Sequence, residues 1–521
     1  MESHPGVPGM VGEDRQRDVK DLAQGALVTF VGKLGRSSRG AFIWVLTALY
    51  GLEVQALYSL SWGLISTLNK IARFGLQRGV VRFVVAARAQ GGGQQGEEVV
   101  AAALGVALAA GGVVAWIAFV SADWVASYYD KPIAYSMRVM AWTAPFMAVA
   151  WCFLAAIRSL RIMRYDAYIT SLAGPLILLV GGVGVGLVEP TLEAVAWVQL
   201  AMGVGICLLA AFFFRRFFAL GAVLRQVGRR RPSGGLIRFS APVMAADLLY
   251  SLLIQLDVLM LTRFVDREQL HMVGIYVLAR RLASTLMKAP QAFDPIFSSV
   301  VSTLALEGGE DELRHRFKVI SRWILTVNLP VIAAFCLLVN LLPKEALLFV
   351  PEVATGVEIL FVLMAGMTVQ SIFSMIDPLL TMTGRPHLGL LNNTLWLGAN
   401  LVLNIWAIGR YGIIGAAVGA ALAVLLISLV RLCEVRWFFG FIPLHWTQLK
   451  PIGAALGAGL GVWAVWPLLA GSWPGSGIAV VLFLGLYLAA LKGLGLEAED
   501  RALWARAKER LGRLRGFQPK R

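Results

Sequence analysis

The chain has 521 residues, of which 58% are hydrophobic and only 15% charged, with a mean hydropathy of +0.72 and a formal net charge of +16. So much apolar material excludes a string of soluble domains and makes the chain a polytopic membrane protein. The positive charge does not point to nucleic acid, because it follows the alternation of loops described next.

The first 22 residues are polar and have no apolar stretch ending in a small-residue cleavage site, so no cleavable signal peptide is expected and the N-tail reads as cytoplasmic. Runs of about 20 apolar residues, the length of one bilayer crossing, then follow at 23–50, 54–77, 98–122, 133–157, 168–188, 193–214, 239–262, 270–297, 319–342, 356–381, 389–409, 412–437, 451–470 and 476–494. The spacing predicts fourteen transmembrane helices with both termini in the cytoplasm. Only Lys131, Arg263, Arg267, Lys344 and Arg410 then fall in loops on the outer side, as the positive-inside rule requires.

Spans 1 to 6 recur as spans 7 to 12, with start offsets of 216, 216, 221, 223, 221 and 219 residues. An even number of spans gives both halves the same orientation, so this is a parallel repeat about an axis along the membrane normal. A residue echo accompanies it: Tyr58 to Lys70 (YSLSWGLISTLNK) and Tyr276 to Lys288 (YVLARRLASTLMK) agree at seven of thirteen positions, 218 residues apart. The predicted fold is all-α: an N-tail (1–22), an N-lobe (23–214), a basic linker (215–238), a C-lobe (239–437), an appended helix pair (451–494) and a basic cytoplasmic C-tail (495–521).

Charge inside a bilayer costs several kcal/mol unless it faces protein or water, which makes intramembrane cations candidate site residues. Span 1 holds Lys33, Arg36 and Arg39 on one arc, either in a cavity or on a surface helix. Lys70 of span 2 either snorkels to the cytoplasmic face or joins that cavity. Arg280, Arg281 and Lys288 sit deeper in span 8, with Pro290 and Pro295 expected to bend the helix beyond them. Span 7 carries Asp247, Gln255 and Asp257, and span 11 carries Asn392, Asn393, Asn400 and Asn404. Asp257 either binds a coupling ion, Na⁺ or H⁺, or neutralises an arginine such as Arg280. The four cysteines read as packing residues, the five histidines form no metal motif, and Trp124, Tyr128 and Tyr129 read as interfacial anchors. Cations on spans 1, 2 and 8 suit a phosphate or pyrophosphate, with arginine offering bidentate geometry.

The stretches IARFGLQRGVVRFV (71–84), LDVLMLTRF (256–264), VGIYVLARRLA (273–283), TMTGRPHLGLLNN (381–393) and LVLNIWAIGRYGIIGAAVGAALA (401–423) resemble the polysaccharide flippases of the multidrug/oligosaccharidyl-lipid/polysaccharide (MOP) exporter superfamily. That group holds Wzx-type O-antigen flippases and MurJ-type lipid II flippases. The resemblance implies a MATE-like fold and export of a polyprenyl-pyrophosphate-linked glycan across a bacterial inner membrane. It places the family's cavity cations on Lys33, Arg36, Asn69, Lys70 and Arg280 or Arg281, and an Na⁺ site on Asp257, Asn400 and Asn404. Asn69 departs from the double-arginine pattern of lipid II flippases, and an asparagine replaces the second acidic ion ligand. No other cofactor is implied. Membrane lipid, glycosyltransferases and a polysaccharide polymerase are the implied partners.

A cation-coupled multidrug exporter of the same superfamily is the alternative, but its cavity should be acidic. A major facilitator protein should show a G-x-x-x-D-R-x-G-R-R-type loop after span 2, and Arg78 to Glu98 has nothing like it. An enzyme is disfavoured because no acid/base constellation is present.

Overall fold

Backbone groups in hydrocarbon must find their partners within the chain, and helices do this locally. The computed structural model describes the backbone of residues 10–160, 162–230, 232–307, 310–341, 356–442, 445–469 and 473–495. It describes the side chains of the same stretches apart from 10–39, 91, 295, 296, 299, 300, 302–307, 310, 340, 341, 386 and 473. Every regular element among these residues is helical.

In chain order the helices are α1 (Met10–Arg73), α2 (Leu76–Val120), α3 (Ala122–Tyr129), α4 (Ala134–Ala141), α5 (Thr143–Ser159), α6 (Arg164–Asp166), α7 (Gly174–Gly186), α8 (Leu192–Phe214), α9 (Leu220–Gln226) and α10 (Gly234–Phe264). They continue with α11 (Leu270–Ala283), α12 (Lys288–Glu307), α13 (Glu310–Leu341), α14 (Val357–Phe373), α15 (Ile376–Met382), α16 (Pro386–Phe439), α17 (Leu449–Ala464), α18 (Trp466–Leu469) and α19 (Trp473–Gly493). A π-helical turn, Ala167–Ala173, joins α6 to α7, where Pro175 lacks the N–H that would continue the regular ladder.

Helix occupies each of the fourteen predicted apolar stretches. Ten helical stretches among the described residues have the length and hydropathy of a membrane crossing. Two of them, Gly40–Gln90 and His387–Phe439, are longer than one crossing. Each is broken at a glycine outside helical φ/ψ: Gly51 (φ 83°, ψ 168°) separates spans 1 and 2, and Gly412 (φ 58°, ψ −130°) separates spans 11 and 12. A Cβ would strain either conformation.

The chain divides into two units, Met1–Leu278 and Ala279–Arg521, so α10 packs with the first. In that unit α2, α5 and α8 form a layered core, and α1 packs against both α7 and α10. The glycines of α7 let α1 approach closely: a Cβ at Gly182 would stand 2.7 Å from the Phe42 ring, and one at Gly186 2.6 Å from the Tyr50 ring. Tyr50 then donates its hydroxyl to the Gly182 carbonyl at 2.7 Å. Small residues four apart at a helix contact are the usual means of tight packing in lipid, where apolar burial between helices adds little.

In the second unit α14 packs along α16, and α12, α13, α15 and the end of α16 bury Phe297, Phe317, Ile324, Ile376, Leu379 and Val435 together. α17 and α19 pair as a hairpin against α13, with Tyr487 donating to the Thr326 carbonyl at 3.0 Å. Two expectations need correction. Cys433 is exposed on α16 and does not serve as a packing residue. The irregularity of span 8 is a 3₁₀ turn over Ser284–Met287, before Lys288 and Pro290, because Pro290 cannot donate to the Leu286 carbonyl.

Candidate functional site

In the first unit, polar residues recur every four positions on α10, placing Asp247, Ser251 and Gln255 on one face. That face meets α1 and the start of α2. Gln77 Nε2 donates to Asp247 Oδ2 at 3.0 Å with Arg78 3.6 Å from the same carboxylate, the Thr67 and Ser251 hydroxyls share a hydrogen at 3.2 Å, and Gln255 Nε2 donates to Ser66 Oγ at 3.3 Å. The approach is close: a Cβ at Gly75 would stand 2.3 Å from the Ser240 carbonyl oxygen. Asp247 and Gln255 therefore act as helix-to-helix ties. Asp257, two residues beyond Gln255, is buried on α10.

Lys70 and Arg73 lie in the last turn of α1, where a cation offsets the negative end of the helix dipole. Arg73 stacks over Trp151 of α5, 4.7 Å from the ring centroid, and Arg158 approaches the same ring at 5.8 Å. Asn69 is buried and donates to Thr143 Oγ1 at 3.4 Å, which gives it a packing partner on α5. Lys33 and Arg36 fall in α1, but their side chains lie outside the described residues.

One end of this unit is fastened by charge. Lys131 is buried and donates to the Val265 carbonyl at 2.8 Å, and Arg267 pairs with Asp130 at 2.7 Å. Burial lowers the Lys131 ammonium from its ordinary range. Nearby, burial beside Tyr128 pushes the Tyr129 phenol up to about 12 against the pull of Arg263.

In the second unit, Arg280 is half-buried while Arg281 and Lys288 are exposed. All three follow one another along α11, the 3₁₀ turn and the start of α12, and Ser284 Oγ donates to the Arg281 carbonyl at 2.7 Å. Three cations at an interrupted helix can present several N–H donors to one polyanion. Asn400 and Asn404 are both buried on α16, and Asn404 Nδ2 donates to Asn400 Oδ1. Asp257 belongs to the first unit and this amide pair to the second.

Some polar residues escaped the sequence reading. Arg431 is paired with Asp377 at 2.7 Å, and Glu434 accepts from Asn392 at 2.8 Å. Their signal was available, since all three are ionisable residues inside spans 10 and 12. Among the described residues no group of three or more His, Cys, Asp or Glu is placed to hold a metal ion.

Residues 57–344 match a family model described as polysaccharide biosynthesis protein. A solved lipid II flippase MurJ in an inward closed conformation is 13% identical, covering 89% of this chain and 98% of its own, with a TM-score of 0.68. A multidrug resistance MATE family transporter of the MOP superfamily, inward-facing, is 15% identical, covering 78% and 94%, with a TM-score of 0.66. A MOP superfamily transporter from Pyrococcus furiosus, described as having a binding pocket of reverse polarity, is 15% identical over 79% and 94%, with a TM-score of 0.56. No curated protein sequence matches the chain. The fold is that of a polytopic MOP-type membrane protein.

Proposed function

The chain belongs to the polysaccharide biosynthesis protein family, and on that premise we propose that it flips polyprenyl-pyrophosphate-linked oligosaccharide or polysaccharide repeat units across the cytoplasmic membrane. The transport is by alternating access and serves a surface polysaccharide such as O-antigen, capsule or exopolysaccharide. Both termini are cytoplasmic, the chain carries a six-span arrangement twice, and spans 13 and 14 complete fourteen crossings. Glycosyltransferases would supply the substrate and a polymerase would consume it.

The observation that carries this reading is the cation set Arg280, Arg281 and Lys288 at the break in span 8, two of the three being exposed. A pyrophosphate offers oxygens to several N–H donors at once. Lys33, Arg36 and Lys70 of the first unit are further candidates for handling the anion, and Asp257, Asn400 and Asn404 are candidates for meeting a coupling ion. Likeness to multidrug transporters supports a second reading, cation-coupled drug export, in which Asp257 is the acidic group that meets the drug.

The deciding experiment expresses the chain in a bacterium lacking its own repeat-unit flippase. Restored surface glycan, together with disappearance of the accumulated lipid-linked repeat unit, supports the first reading. Drug resistance without glycan export supports the second.

A further inference from the structure

Charge is out of balance where α15 meets the two limbs of α16. Arg431, 3% exposed, donates from Nη2 to Asp377 Oδ2 at 2.7 Å. Its guanidinium thereby makes its direct hydrogen bond to Asp377. Half-buried Glu434 lies one turn further along and, among the described residues, is hydrogen-bonded by the neutral amide of Asn392, whose Nδ2 donates to Glu434 Oε2 at 2.8 Å. Among the described residues the charged groups acting on these carboxylates are Arg431, the carboxylates themselves, and Asp294 of α12, which adds a negative charge toward Asp377. Arg385, at the turn before α16, is instead stacked on the rings of Phe438 and Phe439 at 4.2 and 5.5 Å. Glu358 of α14 lies in its first turn, at the end remote from Asp377.

Polar capacity is also left over. Asn392 is fully buried, and its Oδ1, Arg431 Nε and Asp377 Oδ1 are buried atoms with no hydrogen-bond partner among the described residues. Orphaned buried polar atoms are costly, and an unpaired charge at membrane depth more so. The three lie around one cluster contributed by spans 10, 11 and 12.

We propose that Glu434 is an exchangeable proton site within this cluster. With its carboxyl protonated, the cluster reduces to the neutral Arg431–Asp377 pair and a neutral acid bonded to Asn392, a state compatible with burial among lipid-facing helices. When Glu434 passes its proton to water, forming a carboxylate and hydronium, Asp377 and Glu434 share one guanidinium and the net negative charge favours an arrangement that admits water. Asn392 precedes the Gly412 break and Glu434 follows it, so the Asn392–Glu434 bond ties the two limbs of α16 together and changes character with the proton. The protonation itself needs no substrate; its use in driving transport rests on the transporter reading above.

The test is infrared difference spectroscopy of the full chain in liposomes, taken between acid and alkaline pH without substrate. A titrating carboxylic-acid C=O band should appear, vanish in Glu434→Gln and persist in Asp377→Asn. Glycan export in cells should lose its dependence on cytoplasmic pH in Glu434→Gln. A band unchanged in Glu434→Gln, or a spectrum that responds to Na⁺ and not to pH, overturns the proposal. A titrating Glu434 band in a protein that exports no glycan would overturn the flippase reading and leave the proton site standing. Loss of the site with normal glycan export would do the reverse.

Discussion

Lys131 Nζ donates to the Val265 carbonyl oxygen at 2.8 Å, which fastens the loop before α4 to the C-terminal end of α10. Asp130 and Arg267 repeat the connection one residue earlier and two later. A charged donor buried against a backbone carbonyl contributes about 1.5–3 kcal/mol, and its loss leaves the carbonyl unpaired. Lys131→Met should therefore lower the melting temperature of the detergent-solubilised protein, while Lys131→Arg should recover part of it. An unchanged melting temperature in Lys131→Met would show that the contact adds nothing.

The same lysine predicts a pH dependence. Burial lowers its folded-state value below that of the unfolded chain, so between the two values the unfolded state binds more protons and stability rises with pH. Wild-type protein should gain stability relative to Lys131→Met as pH climbs through that window toward the ordinary lysine range. The check is a pair of melting curves across alkaline pH. Parallel curves would refute the assignment.

Arg281→Ala and Lys288→Ala should each reduce glycan export about tenfold or more, since a lost charge-assisted hydrogen bond of about 1.5–3 kcal/mol corresponds to that factor. Both side chains are exposed, so protein levels should stay normal. Lipid-linked repeat units should accumulate in both mutants. Normal export in the pair would remove the anion-handling role.

Asp257→Asn should make export indifferent to the coupling ion if the buried carboxylate carries it. Transport measured against Na⁺ and against pH separates the two ions. Full ion dependence in the mutant would leave Asp257 as a structural charge.

Gly186→Leu should destabilise the first unit by about 1–3 kcal/mol or more, because the side chain would enter space filled by the Tyr50 ring. Gly184→Leu, with nothing within 4 Å of an added Cβ, is the control. Equal melting temperatures for the two variants would contradict the close α1–α7 packing.

Much of the architecture was legible because a bilayer imposes a strong pattern. Apolar length marked the helices, and the turns between spans 1 and 2 and between spans 11 and 12 fell where Gly51 and Gly412 break the ladder. The candidate cations of span 8 were legible for the same reason, since an arginine is conspicuous among leucines. What partners a polar group was not legible. Asp247 and Gln255 stand in the sequence as polar residues of span 7 with no partner indicated, and the structure has them tie α10 to α1 and α2; Asn69 hydrogen-bonds Thr143. Arg431 and Asp377, 54 residues apart in sequence, meet through packing that no local pattern encodes.

The sequence by itself determined that the chain is an all-α membrane protein with a repeated arrangement of apolar spans, because hydrocarbon solvent leaves a polypeptide few other ways to satisfy its backbone. The tertiary structure alone decided which charges inside the helices are compensated. Compensation depends on distances of a few ångströms between side chains on different helices, and the one-dimensional pattern of polarity carries no such distances. Lys131 found a carbonyl, Arg431 found Asp377, and Glu434 found the amide of Asn392.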